Sequence, residues 1–273
     1  SHLHIESTLL RPSEYARVAM RRGTLYAVCD PHEIANVCGV EGIDYMIEEG
    51  KKSPMGWCFM CPSCVPSTPF ETAGAVLDAK TGEGLLMREE IHGLAEMMNV
   101  PGVVFGDKEV HAKLKAARKA NKPIDGHAPG AKGDTLNQYV EAGISTDHEC
   151  TTIAEAEERI RLGMKILIRE GSAACDFENL APLLKNYPNE VMFCSDDKYA
   201  DELKVGYIDD MVRRALRKDI PLWNILKATS LTPKYHYNLD LGLLQEGDHA
   251  DFIVVDNLQN FNIIASYRNG NEV

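Results

Sequence analysis

The run Ile144-Ser145-Thr146-Asp147-His148, followed by Thr152-Ile153-Ala154-Glu155 and then by Lys165-Ile166-Leu167-Ile168-Arg169, decides the fold. Residues 144–148 and 165–169 are short apolar or β-branched runs of strand length. Between them, Thr152 and Glu155 have the spacing of a capping box, which opens a helix running to Gly163. The result is a strand, a helix and a strand in succession.

The same alternation extends in both directions. Strands are expected at 2–6, 24–29, 57–61, 93–97, 123–127 and 191–195 as well, giving eight in all. Residues 107–120 form a helix that starts at Asp107 and buries Val110, Leu114 and Ala117. Residues 209–218 form another, with Met211, Val212, Ala215 and Leu216 as its apolar face. Eight β-then-α units fit an α/β chain closed as a (β/α)8 TIM-type barrel better than an open doubly wound sheet. A glycine-rich phosphate loop after the first strand, which the open alternative would want, is absent. Beyond the eighth unit, residues 250–256 and 261–267 read as strands with no helix between them, and Asn269-Gly270 marks a hairpin turn. The expected organisation is a barrel over 1–240 and a partial small β-sandwich module over 241–273.

The chain has 273 residues, 44% hydrophobic and 26% charged, which excludes the disordered and collagenous classes. A net charge of −12 disfavours nucleic acid and anionic membrane surfaces as partners. Neither a membrane-spanning apolar run nor a signal-peptide pattern is visible. The eight cysteines mostly sit in apolar runs and read as buried free thiols, pointing to a reducing, cytoplasmic setting. Cys58, Cys61 and Cys64 have a C-x-x-C-x-x-C spacing, but a strand would turn Cys58 and Cys61 to opposite faces, so a thiolate metal site is disfavoured.

In such a barrel the chemistry gathers at the C-terminal ends of the strands. His2 and His4 are two apart and project to the same side of a strand, so they can converge on one cation. Strand two ends in Asp30-Pro31-His32-Glu33, strand four carries Glu96, strand five His127, strand six His148 and strand eight Asp196-Asp197. Imidazoles and carboxylates in this mixture suit zinc, manganese or iron(II), and a carboxylate such as Glu96 can bridge two ions. Asp196 and Asp197 cannot both point inward from one strand. His92, His111, His236 and His249 read as surface or supporting residues. Ser63 and Ser195 lack a nucleophile elbow, which disfavours a serine hydrolase. His2 and His4 stand so close to the first residue that the chain start reads as a cut.

The ordered motifs His2-Leu3-His4-Ile5-Glu6-Ser7, Asp30-Pro31-His32-Glu33-Ile34-Ala35-Asn36-Val37, Pro62-Ser63-Cys64-Val65-Pro66, Ala95-Glu96-Met97-Met98-Asn99, Gly126-His127-Ala128-Pro129-Gly130, Asp147-His148-Glu149 and Phe193-Cys194-Ser195-Asp196-Asp197 resemble the signature set of bacterial and archaeal adenine deaminases, in the amidohydrolase superfamily. The resemblance implies two divalent ions, manganese(II) or iron(II) before zinc. It places His2, His4 and Asp196 on one, His127 and His148 on the other, and Glu96 as the bridge. Asp30, His32 and Glu33 would form a second cluster for substrate or a further ion. The implied reaction is adenine plus water giving hypoxanthine and ammonia, a purine-salvage step. A metal-activated hydroxide would attack the amino-bearing carbon, and Asp196 would shuttle the proton. The implied partner is the small molecule adenine, with a homo-oligomer left open.

The resemblance also implies an N-terminal piece and a C-terminal domain that this sequence lacks. Lys198-Tyr199-Ala200-Asp201 and Tyr207 depart from the family's histidine-bearing versions. The rival readings are another binuclear amidohydrolase, acting on a cyclic amide or a different aminated heterocycle, and an inactive truncated module.

Overall fold

Eight parallel strand positions surround one axis in the computed structural model, which describes residues 1–273. They are β1 (Leu3–His4), β2 (Tyr26–Cys29), β3 (Gly56–Cys61), β4 (Ile91–Met97), β5 (Ile124–Gly126), β6 (Thr146–Asp147), β7 (Lys165–Arg169) and β8 (Val191–Cys194), the last continued as β9 (Asp196–Asp197). One sheet runs β5-β4-β3-β2-β1-β9 and a second runs β6-β7-β8. The passage from β8 through Ser195 into β9 joins them on one side. On the other, Ser145 N donates to Ile124 O at 2.9 Å and Gly126 N to Thr146 Oγ1 at 3.2 Å, so the ring closes.

Alternation along the strands sorts the apolar side chains into layers. Val28, Cys58, Met60, Ala95, Leu167, Met192 and Cys194 form one buried cluster with Tyr237 and Leu239, the filling of the barrel. Ala27, Cys29, Phe59, Cys61, Leu94 and Met97 belong to a second cluster and Ile166, Ile168, Val191 and Phe193 to a third, both shared with helices. Cys58 and Cys61 therefore lie in different layers, as the alternation requires, and all eight cysteines are free.

The helices follow their local signals. Thr152 and Glu155 form the reciprocal capping box ahead of Ile153–Arg161. Asp107 caps Lys108–Lys119 by accepting from Val110 N at 2.9 Å. The third expected helix spans Ile208–Arg217. The strands are shorter than expected at the site: β1 stops at His4, where the chain turns into a 3-10 segment, Ile5–Thr8. In β6 only Thr146–Asp147 is strand, and β8 breaks at Ser195 because Asp196 has a left-handed backbone, φ 54°.

A separate antiparallel sheet is built from β10 (Phe252–Val255), β11 (Ile263–Arg268) and β12 (Asn271–Glu272). Asn269 and Gly270 both have positive φ in the turn between the last two, the conformation an Asn-Gly hairpin favours. The sheet is tied to β2: Tyr26 OH donates to Asp251 Oδ2 at 2.9 Å, and the Arg268 guanidinium lies 4.5 Å over the Tyr26 ring. No helix is long and apolar enough to cross a membrane.

Two buried polar groups tie the helices to the barrel. Arg159, 1% exposed, donates through Nε to Asp147 in β6 and through Nη2 to Ala128 O at 2.8 Å. Removing one partner of such a pair leaves the other as a buried, uncompensated charge. Arg159→Met is therefore expected to lower unfolding stability by about 3–5 kcal/mol in urea titrations. At the barrel floor, Tyr237 OH donates to the Asp125 carboxylate at 3.1 Å, and His236 Nε2 lies 4.0 Å from Asp125 Oδ1. Burial, aided by Lys165, pushes the His236 imidazole down to about 4, so it folds neutral. The unfolded chain takes up that proton first, so this contribution is complete above about pH 6.5 and drains away as pH falls toward 4. We expect the loss to approach about 3 kcal/mol, and His236→Gln to flatten the measured stability profile across that window.

Candidate metal centre

A bulge in β4 sets the centre of the site. Leu94 pairs with Ile124 and Met97 with Gly126, so β4 spends one residue more than β5 between the two pairs. Leu94 and Met97 both face the outer layer, and the extra residue lets Ala95 and Glu96 both turn inward. Glu96 is 3% exposed. Its Oε1 lies 3.5 Å from His4 Nε2 and 3.5 Å from His32 Nδ1. Its Oε2 lies 2.9 Å from His127 Nδ1 and 3.2 Å from His148 Nε2. His2 Nε2 stands 4.0 Å from Oε2, so one carboxylate addresses five imidazoles, two through Oε1 and three through Oε2.

His2 and His4 share a strand face, as their spacing requires, with ring centroids 4.7 Å apart. Asp196 Oδ1 lies 3.5 Å from His2 Nε2 and 3.2 Å from His4 Nε2. The left-handed turn at Asp196 separates the two aspartates: Asp196 faces the histidines, while Asp197 accepts from the Ser7 hydroxyl. His127 follows Gly126, where a Cβ would stand 2.3 Å from Thr146 O, so only glycine lets β5 approach β6 this closely. Asp147 Oδ1 accepts from Ala128 N at 3.3 Å and Glu149 N at 3.0 Å, holding the backbone on either side of His127 and His148. His32 Nδ1 pairs with Asp30 Oδ2 at 3.0 Å.

Potential ligand atoms within 4.8 Å of one another form three groups: His4, Asp30, His32 and Glu96; His2, His148 and Asp196; and Glu96, His127 and His148. Eight of the nine expected site residues are therefore brought together. Glu33 stands apart from all three groups, because it follows His32 on the first turn of the helix His32–Gly50 and consecutive helical residues diverge. Its carboxyl is pushed up to about 7 by burial and by Glu6. His92, His111, His236 and His249 belong to none of the groups.

The electrostatics are those of a site built for cations. Burial and the neighbouring His148 hold His2 down to about 4, and its Nε2 is buried without a hydrogen bond. Burial also opposes a charge on His148, yet Glu96 outweighs it and raises that imidazole to about 9. Burial likewise opposes His32, but Asp30 takes it to about 9. Against their own burial, Glu96 is held well below the usual carboxylate range by His127 and His148, and Asp196 by His2 and His4. His127 Nδ1 faces His148 Nε2 at 3.3 Å, an arrangement in which one nitrogen must give up its proton or its partner. Packed imidazole nitrogens, an orphaned His2 Nε2 and acceptor-only carboxylates fit divalent cations better than protons.

Two residues at the rim were not singled out from sequence. Glu149 Oε1 lies 3.5 Å from His127 Nδ1 and 3.4 Å from His148 Nε2. Arg169, the last residue of β7, donates to Glu149 and reaches Asp196 Oδ2 at 3.2 Å. The available signal was position, since Arg169 ends a barrel strand.

The sequence profile described as the amidohydrolase family matches residues 1–273. The chain belongs to the amidohydrolase family. Members of this family generally use divalent metals, in keeping with the donor set above. A curated protein named adenine deaminase from Methanosarcina mazei is 53% identical over 271 residues, covering 99% of this chain and 49% of its own length. One of the same name from Salinibacter ruber is 52% identical over 270 residues, covering 99% and 50%. The chain thus spans about half the length of these amidohydrolases. Among solved structures, a β-aspartyl dipeptidase from Fervidobacterium islandicum AW-1 superposes with a TM-score of 0.68 at 16% identity, covering 93% of this chain and 74% of that one. At that identity the likeness carries the fold alone.

Cation binding should displace protons from these imidazoles. Adding manganese(II) to the chelator-treated protein is expected to release protons in a weakly buffered titration and to raise the thermal midpoint. Glu96→Ala is expected to weaken that binding by about 10- to 100-fold; unchanged affinity would remove Glu96 from the centre.

Proposed function

We propose that the chain is the catalytic part of an adenine deaminase, converting adenine and water to hypoxanthine and ammonia. The observation that carries this is identity above 50% with proteins of that name over 99% of the chain, together with the convergence of His2, His4, Glu96, His127, His148 and Asp196 in one barrel mouth. His2, His4 and Asp196 would hold one cation and His127 and His148 the other, with Glu96 between them. Manganese(II) or iron(II) fits this mixed nitrogen and oxygen set, with zinc as the third candidate. Bound there, two such ions would lower the pKa of a shared water and make it nucleophilic at neutral pH.

The chain's own groups then position and move protons. Asp196 keeps Oδ1 toward His2 and His4, while Oδ2 meets Arg169 and retains a lone pair that can take a proton. That proton must reach a ring nitrogen and then the departing amine, because amide ion is a poor leaving group. Asp30 fixes the His32 ring through Nδ1, leaving Nε2 for a substrate ring atom or a further ion. The substrate is a small uncharged heterocycle, compatible with a strongly acidic protein, and the setting we infer is the cytoplasm and purine salvage.

The test is ammonia release from adenine by the chain and by the complete reading frame that encodes it, each loaded with manganese(II) or iron(II). Adenosine, cytosine and dihydrouracil serve as comparisons. Adenine is expected to be the preferred substrate, and Asp196→Asn to reduce kcat by about 100-fold or more. No adenine turnover by the complete protein would overturn the reading.

A further inference from the structure

Arg169 is buried at the rim of the barrel, 8% exposed, and its guanidinium is shared among three carboxylates from three successive βα loops. Nη1 donates to Glu149, which follows β6, and lies 3.2 Å from Oδ2 of Asp196, which follows β8. Nε donates to Asp176 Oδ2 at 3.1 Å, and Asp176 N donates back to Arg169 O at 2.8 Å. The arginine is therefore held on both sides, by its own backbone and by a carboxylate facing away from the histidines.

The two carboxylates that share Nη1 stand on opposite halves of the metal centre. Glu149 borders His127 and His148, whereas Asp196 borders His2 and His4. Left alone, the buried Asp196 and half-buried Glu149 carboxylates on one nitrogen's width would repel and turn apart. A planar guanidinium whose nitrogens point in fixed directions prevents this, and the single point charge of a lysine would not meet Glu149, Asp196 and Asp176 together.

We propose that Arg169 is a positioning residue for the deamination, one that locks Glu149 and Asp196 in register so that each presents its oxygen to its own half of the histidine cluster. The proposal rests on the deaminase reading for its reaction and on the geometry alone for its effect on cation binding. Arg169 itself neither binds a cation nor touches the reacting atoms.

The experiment compares the parent with Arg169→Lys, Arg169→Met, Arg169→Ala and Asp176→Asn, reading thermal midpoint, manganese(II) affinity, kcat and KM. In folded Arg169 variants, kcat is expected to fall about 100-fold while KM changes by less than about threefold, the split that misplacement of groups produces. Manganese(II) affinity is expected to fall about 10-fold. Added guanidinium should restore part of both in Arg169→Ala, and methylammonium should not. Asp176→Asn, which loosens the arginine without removing it, should show a smaller loss of the same kind.

A folded Arg169→Lys with kcat and manganese(II) affinity within about threefold of the parent would overturn the proposal. So would losses that guanidinium leaves unchanged. Where Arg169→Met fails to fold, Arg169→Lys and Asp176→Asn decide the matter. If the parent releases no ammonia from adenine, the deaminase reading fails, and the manganese(II) affinities still decide the role of Arg169.

Discussion

A single buried carboxylate, Glu96, organises the mouth of this barrel. Burying a carboxylate is costly unless opposite charge or donors compensate it, and here compensation comes from five imidazoles divided between its two oxygens. The arrangement exists because β4 carries one extra residue between its pairings with β5. A regular strand would have turned Glu96 toward the helices, where Leu94 and Met97 lie. The bulge thus does two jobs at once, keeping Leu94 and Met97 in the outer layer and re-aiming one acid at the axis.

The residues around Glu96 are held by two arginines that never join the cluster. Arg159 comes from a helix and binds Asp147 and the Ala128 carbonyl, so it fixes the loops that bear His127 and His148. Arg169 comes from β7 and gathers Glu149, Asp176 and Asp196. Both are buried, and both set a positive charge against carboxylates that stand next to a group of acids. Rigid guanidinium forks suit this task because they set direction as well as charge. The positive ends of these networks lie behind the ligand atoms, which leaves the space between the imidazoles to a cation.

How much of this could be read from residues alone follows from the range of each interaction. The helix Ile153–Arg161 was legible because its capping box is local, and the His2-x-His4 pair because a strand has period two. Placing Glu96, His127 and His148 at strand ends required only the order of the βα units. The early end of β1 in a 3-10 turn, the break at Ser195 before a left-handed Asp196 and the bulge at Glu96 were not legible, since none of them leaves a mark in the hydrophobic pattern. Asp196 and Asp197 show the difference: alternation says that one of them faces inward, but the left-handed backbone at Asp196 and the Ser7 hydroxyl on Asp197 determine which. Glu33 was grouped with Asp30 and His32 by adjacency in sequence; on the first helical turn it shares no ligand group with them, although His4 and His32 act on its carboxyl and its Oε2 is buried without a hydrogen bond.

The barrel divides its polar groups between those that hydrogen bonds within the protein complete and those that they leave open. At the floor, Asp125 accepts from the Thr146 and Tyr237 hydroxyls beside a neutral His236, and burial pushes its carboxyl up to about 7 against those hydrogen bonds. At the rim, His2 Nε2 is left without a hydrogen bond and His127 meets His148 nitrogen to nitrogen, so the protein alone does not complete the set. Val28, Cys58, Met60, Leu167 and Met192 fill the barrel in the same cluster as Tyr237, and across it Asp125 still feels His148 and Asp30. The unsatisfied donors at the top are the part of the fold whose stability is tied to what it binds.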